Sequence, residues 1–339
     1  MSLNDGPIES GFTEVIMDTN DCRNMKGRRE FLTHLPLAVT GSALVLSEAA
    51  RSRGAPAAPT GSPAAPLPTI RLGKHRVSRL IAGWNPVAGY SYMGPFMDQH
   101  MREYFTLERT VAFLQDCERN GVTAWQLDHA EKGVAAMRVL RERGSKMQCL
   151  CLHANAASIE KVVADVAPIA IVHHGGATDR LFREGKSRQV RDFVQRVRDA
   201  GVLAGVSAHN PDCIKRIADE GWPVDLFMTC FYYLTRPAQA LEKMAPATTL
   251  QIGHYSFFAS DPLKMTEVAR HVDQPCLGFK ILAAGRRCGR KQEVAEAFKF
   301  AFDHLKPTDG VIVGMYPRFQ DQVHENAQHT RQFAGPHRM

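Results

Sequence analysis

The chain has 339 residues, 44% hydrophobic and 23% charged, enough apolar side chains for a full core and no compositional sign of overall disorder. The formal charge of +7 is modest. Arg188, Arg191, Arg196 and Arg198 are separated by acidic residues with no aromatic-interleaved basic stripe, so they read as a solvated helix face, and a nucleic-acid partner is not expected.

In chain order, Lys26-Gly27-Arg28-Arg29-Glu30-Phe31-Leu32 resembles the twin-arginine export signal and is followed by an apolar run at 35–46. A bilayer span needs roughly 20 apolar residues, so this run fits a signal-peptide h-region rather than a membrane helix. The resemblance implies the twin-arginine export machinery as a partner, a periplasmic or extracellular destination, and no stable membrane span in the mature form. Met25 offers an alternative start. Residues 1–50 are thus the signal region, 51–68 form a Pro/Ala-rich linker unable to bury a core, and 69–339 are the folded part. That route carries folded proteins, which favours a cofactor-bearing enzyme. Eight cysteines occur without a CxxC pair, so buried thiols are expected, although export would permit disulfides.

After the linker, short branched-rich runs at 77–84, 124–128, 147–153, 169–174, 203–209, 226–232, 276–282 and 311–316 read as strands. Amphipathic stretches at 107–120, 134–143, 159–166, 189–200, 214–220, 262–271, 292–304 and 320–331 alternate with them as helices. Several end on a helix stop such as Asn120-Gly121, Arg143-Gly144 or Ala200-Gly201. Eight such units predict a (β/α)8 TIM barrel, because an open dinucleotide-binding sheet would carry a Gly-x-Gly-x-x-Gly after its first strand and none is present. The long connection at 234–260 is expected to hold part of a lid or an irregular helix.

The active site of such a barrel lies at the C-terminal strand ends. There the sequence places Asp128 and His129, His153, His173 and His174, His209, Thr229 and Cys230, and Lys280. Alternation groups His153 with Cys149 and Cys151, and His173 with Ile169 and Ile171, so His153 and His173 are expected to point inward. A lone Lys280 suits an ion pair better than Schiff-base chemistry.

Several blocks resemble the aldo/keto reductase superfamily: Leu72-Gly73-Lys74-His75-Arg76-Val77-Ser78-Arg79-Leu80, Asn120-Gly121-Val122, Gly205-Val206-Ser207, Val224-Asp225-Leu226, Val311-Ile312-Val313-Gly314-Met315 and Glu325-Asn326-Ala327. The resemblance implies a barrel using NADP or NAD on a small-molecule carbonyl or alcohol, and an exported enzyme with His, Lys, Asn and Trp84 near its mouth would suit a polar, sugar-like substrate. The resemblance carries the family's catalytic Asp to Asp128 and its His to His173 or His174. It carries cofactor contacts to Ser207, Arg318, Glu325 and Asn326. The family's Tyr and Lys have no counterpart, since Ala130-Glu131-Lys132-Gly133 and His153 stand in their places. His153, held by Asp128, is expected to take over proton transfer. The alternative reading is a metal-dependent or acid/base lyase, isomerase or hydrolase with Asp128, His153, His174 and His209 around a divalent ion such as zinc. A third is a non-catalytic binding barrel.

Overall fold

The computed structural model describes residues 65–244 and 255–335, so the Arg28-Arg29 motif and the linker up to residue 64 lie outside the described residues. The chain opens with an antiparallel hairpin, β1 (Thr69–Leu72) and β2 (His75–Ser78). Eight parallel strands follow: β3 (Leu80–Gly83), β4 (Ala124–Asp128), β5 (Gln148–His153), β6 (Ala170–His173), β7 (Leu203–Ala208), β8 (Leu226–Cys230), β9 (Cys276–Phe279) and β10 (Gly310–Gly314). They close in chain order, β10 pairing back onto β3 through Val311 and Leu80, and this is the expected (β/α)8 barrel.

The helices are α1 (Asn85–Ala88), α2 (Pro95–Tyr104), α3 (Leu107–Arg119), α4 (Glu131–Glu142), α5 (Ile159–Val166), α6 (Gly175–Arg183), α7 (Ser187–Asp199), α8 (Pro211–Asp219), α9 (Ala238–Met244), α10 (Asp261–His271), α11 (Lys291–His304) and α12 (Gln322–Phe333). Helix α7 shows why the segments between strands wind up. Val190, Phe193, Val194 and Val197 recur at three- and four-residue spacing and are fully buried. Each contributes roughly 1.5–3 kcal/mol by leaving water. Its opposite face bonds sideways, Arg196 to Glu160 at 2.7 Å and Arg198 to Asp225 at 2.8 Å. Helices α1, α2 and α6 were not expected, whereas α9 lies in the 234–260 connection for which part of a lid or an irregular helix was expected. Helix α2 buries no residue and therefore has no core-facing stripe to read, and α6 opens on Gly175-Gly176, both poor helix formers.

The run at 77–84 is not one strand, which corrects the sequence reading. It breaks at Arg79, between the hairpin and the barrel. The buried Arg79 guanidinium donates to the carbonyls of Asp309 (2.8 Å), Ala334 (2.9 Å) and Lys306 (3.0 Å), tying the entrance of β3 to the end of the chain.

Two apolar layers follow from the closure. Ile81, Ala124, Leu150, Val172, Met228 and Ile312 fill the barrel interior, together with Ile70, Leu72 and Val77 of the hairpin. The hairpin turn lies against the start of β7, where a Cβ on Gly73 would stand 2.9 Å from Leu203 Cδ2. It covers the barrel at the N-terminal strand ends and leaves the C-terminal ends open. The second layer, with Cys149, Cys151 and Ile171, lies between strands and helices. Among the described residues Cys117, Cys149, Cys151, Cys213, Cys230 and Cys276 are buried free thiols and Cys288 is an exposed one. No described helix is long and apolar enough to cross a membrane.

Candidate active site

The open end of the barrel holds a cavity of about 650 Å³. Its floor is the inward set of strand-end residues: Gln126 and Asp128 from β4, Leu152 from β5, His174 after β6, and Ser207 and His209 from the end of β7. Leu152 on the wall fixes the side-chain direction of β5, and His153 must point the other way. His153 bonds Ser158 Oγ at 2.8 Å and meets His129 edge-on at 5.8 Å, while His129 bonds Asp165 at 2.8 Å. His173 is likewise turned outward, bonding Thr178 Oγ1 at 2.7 Å and packing edge-on against Phe193 at 4.8 Å. The expectation that His153 and His173 face the pocket is therefore corrected. Both faces of a parallel strand are buried, so alternation alone does not say which face is inside. With His153 outside, Asp128, His153, His174 and His209 do not converge, and among the described residues no group of three His, Cys, Asp or Glu is placed to hold a metal ion.

His174 and His209 are the imidazoles that do line the cavity. His209 is held from behind by Asp179 of α6, whose carboxylate accepts its Nδ1 at 2.9 Å, its backbone N–H at 3.0 Å and the Thr235 hydroxyl at 2.9 Å. Gly175 allows this approach. A Cβ there would stand 2.9 Å from Ser207 Oγ and 3.2 Å from His209 Cε1, so any larger residue would displace one of them. Desolvation by the surrounding wall lowers both imidazoles, with Lys280 pushing the same way and Asp179 opposing. Each is neutral near pH 7 and able to accept a proton. Burial takes His173 down to about 4.

Facing the histidines are Asp128, Lys280 and Tyr92. Burial raises the Asp128 carboxyl to about 6, against the charge of Lys280 and hydrogen bonds from Gln126 and Trp84. Lys280 follows β9, and its Nζ lies 4.4 Å from the Tyr92 ring centroid and 5.0 Å from that of Phe279. Burial works to lower this ammonium, but Tyr92, Cys230 and Tyr255 outweigh it and the net direction is upward. Lys280 is thus a cation rather than a free amine. Tyr92 comes from the loop between α1 and α2, and its hydroxyl accepts from Asn85 Nδ2 at 3.5 Å. Tyr92 and Lys280 share an uncommon backbone state, each with φ of 60° in the left-handed region. Such strain costs of order 1–3 kcal/mol per residue and collects where function requires a fixed geometry.

Helix α2 and the loop after β10 roof the cavity. His100 stacks on Phe319 at 5.9 Å and bonds the Tyr316 hydroxyl at 2.8 Å, while Met97 and Met101 face inward. Glu325 and Asn326 are on the wall, Asn326 buried and Glu325 paired with Lys291 at 2.7 Å. Arg318 is exposed, its guanidinium 5.7 Å from the Phe319 ring, and is not on the wall. The Ser207 hydroxyl is buried on the wall without a hydrogen-bond partner among the described residues. Sequence reading missed Tyr92 and Asp179 and undervalued Lys280. The one signal for Tyr92 was an aromatic pair set between Gly89 and Gly94, and Asp179 gave none.

No family model and no curated protein matches this chain in sequence. Among solved structures it is similar to a glycerol dehydrogenase from Gluconobacter oxydans (12% identity, 79% of this chain and 97% of that one, TM-score 0.45). It is similar also to the holo form of an aldo-keto reductase from Bacillus halodurans (12%, 79% and 97%, 0.48). A truncated 3-deoxy-D-arabino-heptulosonate 7-phosphate synthase from Thermotoga maritima matches comparably (15%, 79% and 90%, 0.42). Reductases and a synthase stand side by side here, so the reaction has to be argued from the residues.

Proposed function

We propose that this protein is an oxidoreductase of the aldo/keto reductase kind, interconverting a carbonyl and an alcohol on a small, polar, sugar-like compound with NADP or NAD. The observation that carries the reading is the meeting of the Tyr92 phenol, the Lys280 ammonium and the Asp128 carboxyl in one cavity. These are the three group types that such a reduction needs for proton delivery, recruited here from the α1–α2 loop and β9 instead of the positions where the family keeps its Tyr and Lys. Tyr92 donates a proton to the substrate oxygen, and the phenolate left behind faces a positive charge. His174 holds the same oxygen from the histidine side.

The residues present fit a nicotinamide cofactor at two points. The unpartnered Ser207 hydroxyl suits a carboxamide, since a buried hydroxyl without a partner is costly until a ligand supplies one. Asn326 offers an amide on the same wall. The bound cofactor would supply or accept hydride. Glu325 is engaged by Lys291, and Arg318 would meet a phosphate only at the mouth. The chain is proposed to be exported by the twin-arginine route, on the strength of Arg28-Arg29-Glu30-Phe31-Leu32 and the apolar run after it.

Titration of the protein with NADPH and with NADH, read by fluorescence, tests the cofactor. Tyr92→Phe tests the proton donor: binding should persist while turnover of a small sugar carbonyl falls on the order of a hundredfold. A protein that ignores both nucleotides, or a Tyr92→Phe variant with full turnover, would overturn the proposal.

A further inference from the structure

The reduction proposed above leaves one part of the cavity without a task. His209 is not needed as the oxygen-orienting imidazole, which is His174, yet it is the better-built of the two. The Asp179 side chain is 2% exposed and that of His209 12%. Asp179 spends its acceptors on the His209 ring, the His209 backbone, the Asn210 backbone at 3.2 Å and Thr235. This network fixes Nδ1 as the protonated nitrogen and the ring in one orientation. Nε2 then carries the lone pair, has no protein partner among the described residues, and belongs to a ring on the cavity wall. A buried carboxylate behind a histidine whose ring lies on a cavity wall and whose Nε2 is left unbonded is the arrangement of a general base.

We propose that His209, positioned by Asp179, is a catalytic base that removes the proton from the carbon next to a carbonyl, so that this cavity enolises α-hydroxy carbonyl compounds without any nicotinamide. The step balances within the substrate. Nε2 takes the proton of the hydroxyl-bearing carbon, and the C–H electron pair becomes the C=C bond of an enediol. The carbonyl oxygen takes the charge and is held by the Lys280 ammonium and protonated by Tyr92. Return of the proton to the same carbon gives exchange with solvent. Return to the former carbonyl carbon, with the hydroxyl proton moving to Tyr92, interconverts aldose and ketose. No oxidant or reductant is consumed. The two sides of the cavity supply the two functions required: bases on the β6–β7 side, and an ammonium and a phenol from β9 and the α1–α2 loop.

The inference rests on the preceding reading for the roles of Lys280 and Tyr92, but its test contains no nucleotide. Dihydroxyacetone is incubated with the full chain in D2O, and loss of its C–H signal is followed by proton NMR. The expected result is exchange well above the buffer rate, reduced on the order of a hundredfold in His209→Asn and in His209→Gln. NADPH binding, measured in parallel, is expected to remain. Asp179→Asn should slow exchange and move the acid limb of its pH profile downward. The carboxylate that raises His209 is then gone, leaving desolvation and Lys280 to lower it, with His174 its neighbour on the wall. A purely structural Asp179 would lower the amount of folded protein without moving that limb. Exchange no faster than buffer, or exchange that survives both His209 variants, overturns the inference. Loss of NADPH binding in the unsubstituted protein overturns the reductase reading instead and leaves this one standing.

Discussion

Asp128→Asn tests whether the cavity maintains a carboxyl group at the expense of stability. Burial raises the Asp128 pKa from 3.8 to about 6, so the folded state binds this proton more tightly than the unfolded one. The associated stability is fully present below pH 3.8 and is lost as pH rises through about 6. At about 1.4 kcal/mol per unit, the ionised carboxylate costs the folded protein about 3 kcal/mol at pH 7.5. Asparagine has nearly the same shape and no charge to desolvate. The variant should therefore be the more stable protein at pH 7.5, by roughly 5–10 °C in melting temperature for a domain of this size, and equal to the unsubstituted protein at about pH 3. Parallel urea titrations at the two pH values measure the difference directly. A variant that is less stable at pH 7.5, or equally shifted at both, would mean that Lys280 compensates the charge fully and that Asp128 is an ordinary ion-pair residue. The reductase reading adds that turnover should fall in the same variant, since Asp128 supports the Lys280 charge.

Ser207→Ala should be neutral or stabilising by up to about 1 kcal/mol, because it removes a hydroxyl buried without a partner. The same change should weaken NADPH binding several-fold, and opposite signs in the melting curve and the binding isotherm are the diagnostic. His153→Ala should cost about 1 kcal/mol through the lost bond to Ser158 and leave turnover and NADPH affinity within roughly twofold, since its ring is outside the cavity. A large loss of turnover in that variant would show that the outer histidines take part after all.

The barrel was readable because its determinants are local and periodic. Glycines such as Gly121, Gly144 and Gly201 do stand at helix ends with φ of 89°, 75° and 74°. The rim position of Asp128, His174 and His209 followed from strand ends alone, whereas Ser207 came from the family resemblance. What failed was direction. Cys149-Leu150-Cys151-Leu152 is apolar on both faces, and choosing the wrong face exchanged His174 for His153 and His173. The remaining site residues arrive by long-range closure. Tyr92 reaches Lys280 across 188 positions of sequence, and Asp179 reaches Thr235 from a helix whose opening glycines hide it. Such meetings are set by barrel geometry and leave no periodic trace.

The buried thiols give the molecule a set of internal clocks. Burial pushes Cys149 and Cys230 up to about 12, and Cys151, Cys213 and Cys276 higher still. None of them presents a thiolate to an alkylating reagent until its sector opens. The five lie on β5, α8, β8 and β9, so pulsed alkylation followed by peptide mass spectrometry would time the opening of the β5 side separately from that of the β8–β9 side. In a background with Cys22→Ser and Cys288→Ser, where neither Cys22 nor the thiol exposed among the described residues consumes reagent, the order of labelling would show whether the β5 side or the β8–β9 side opens first or the barrel opens as a whole.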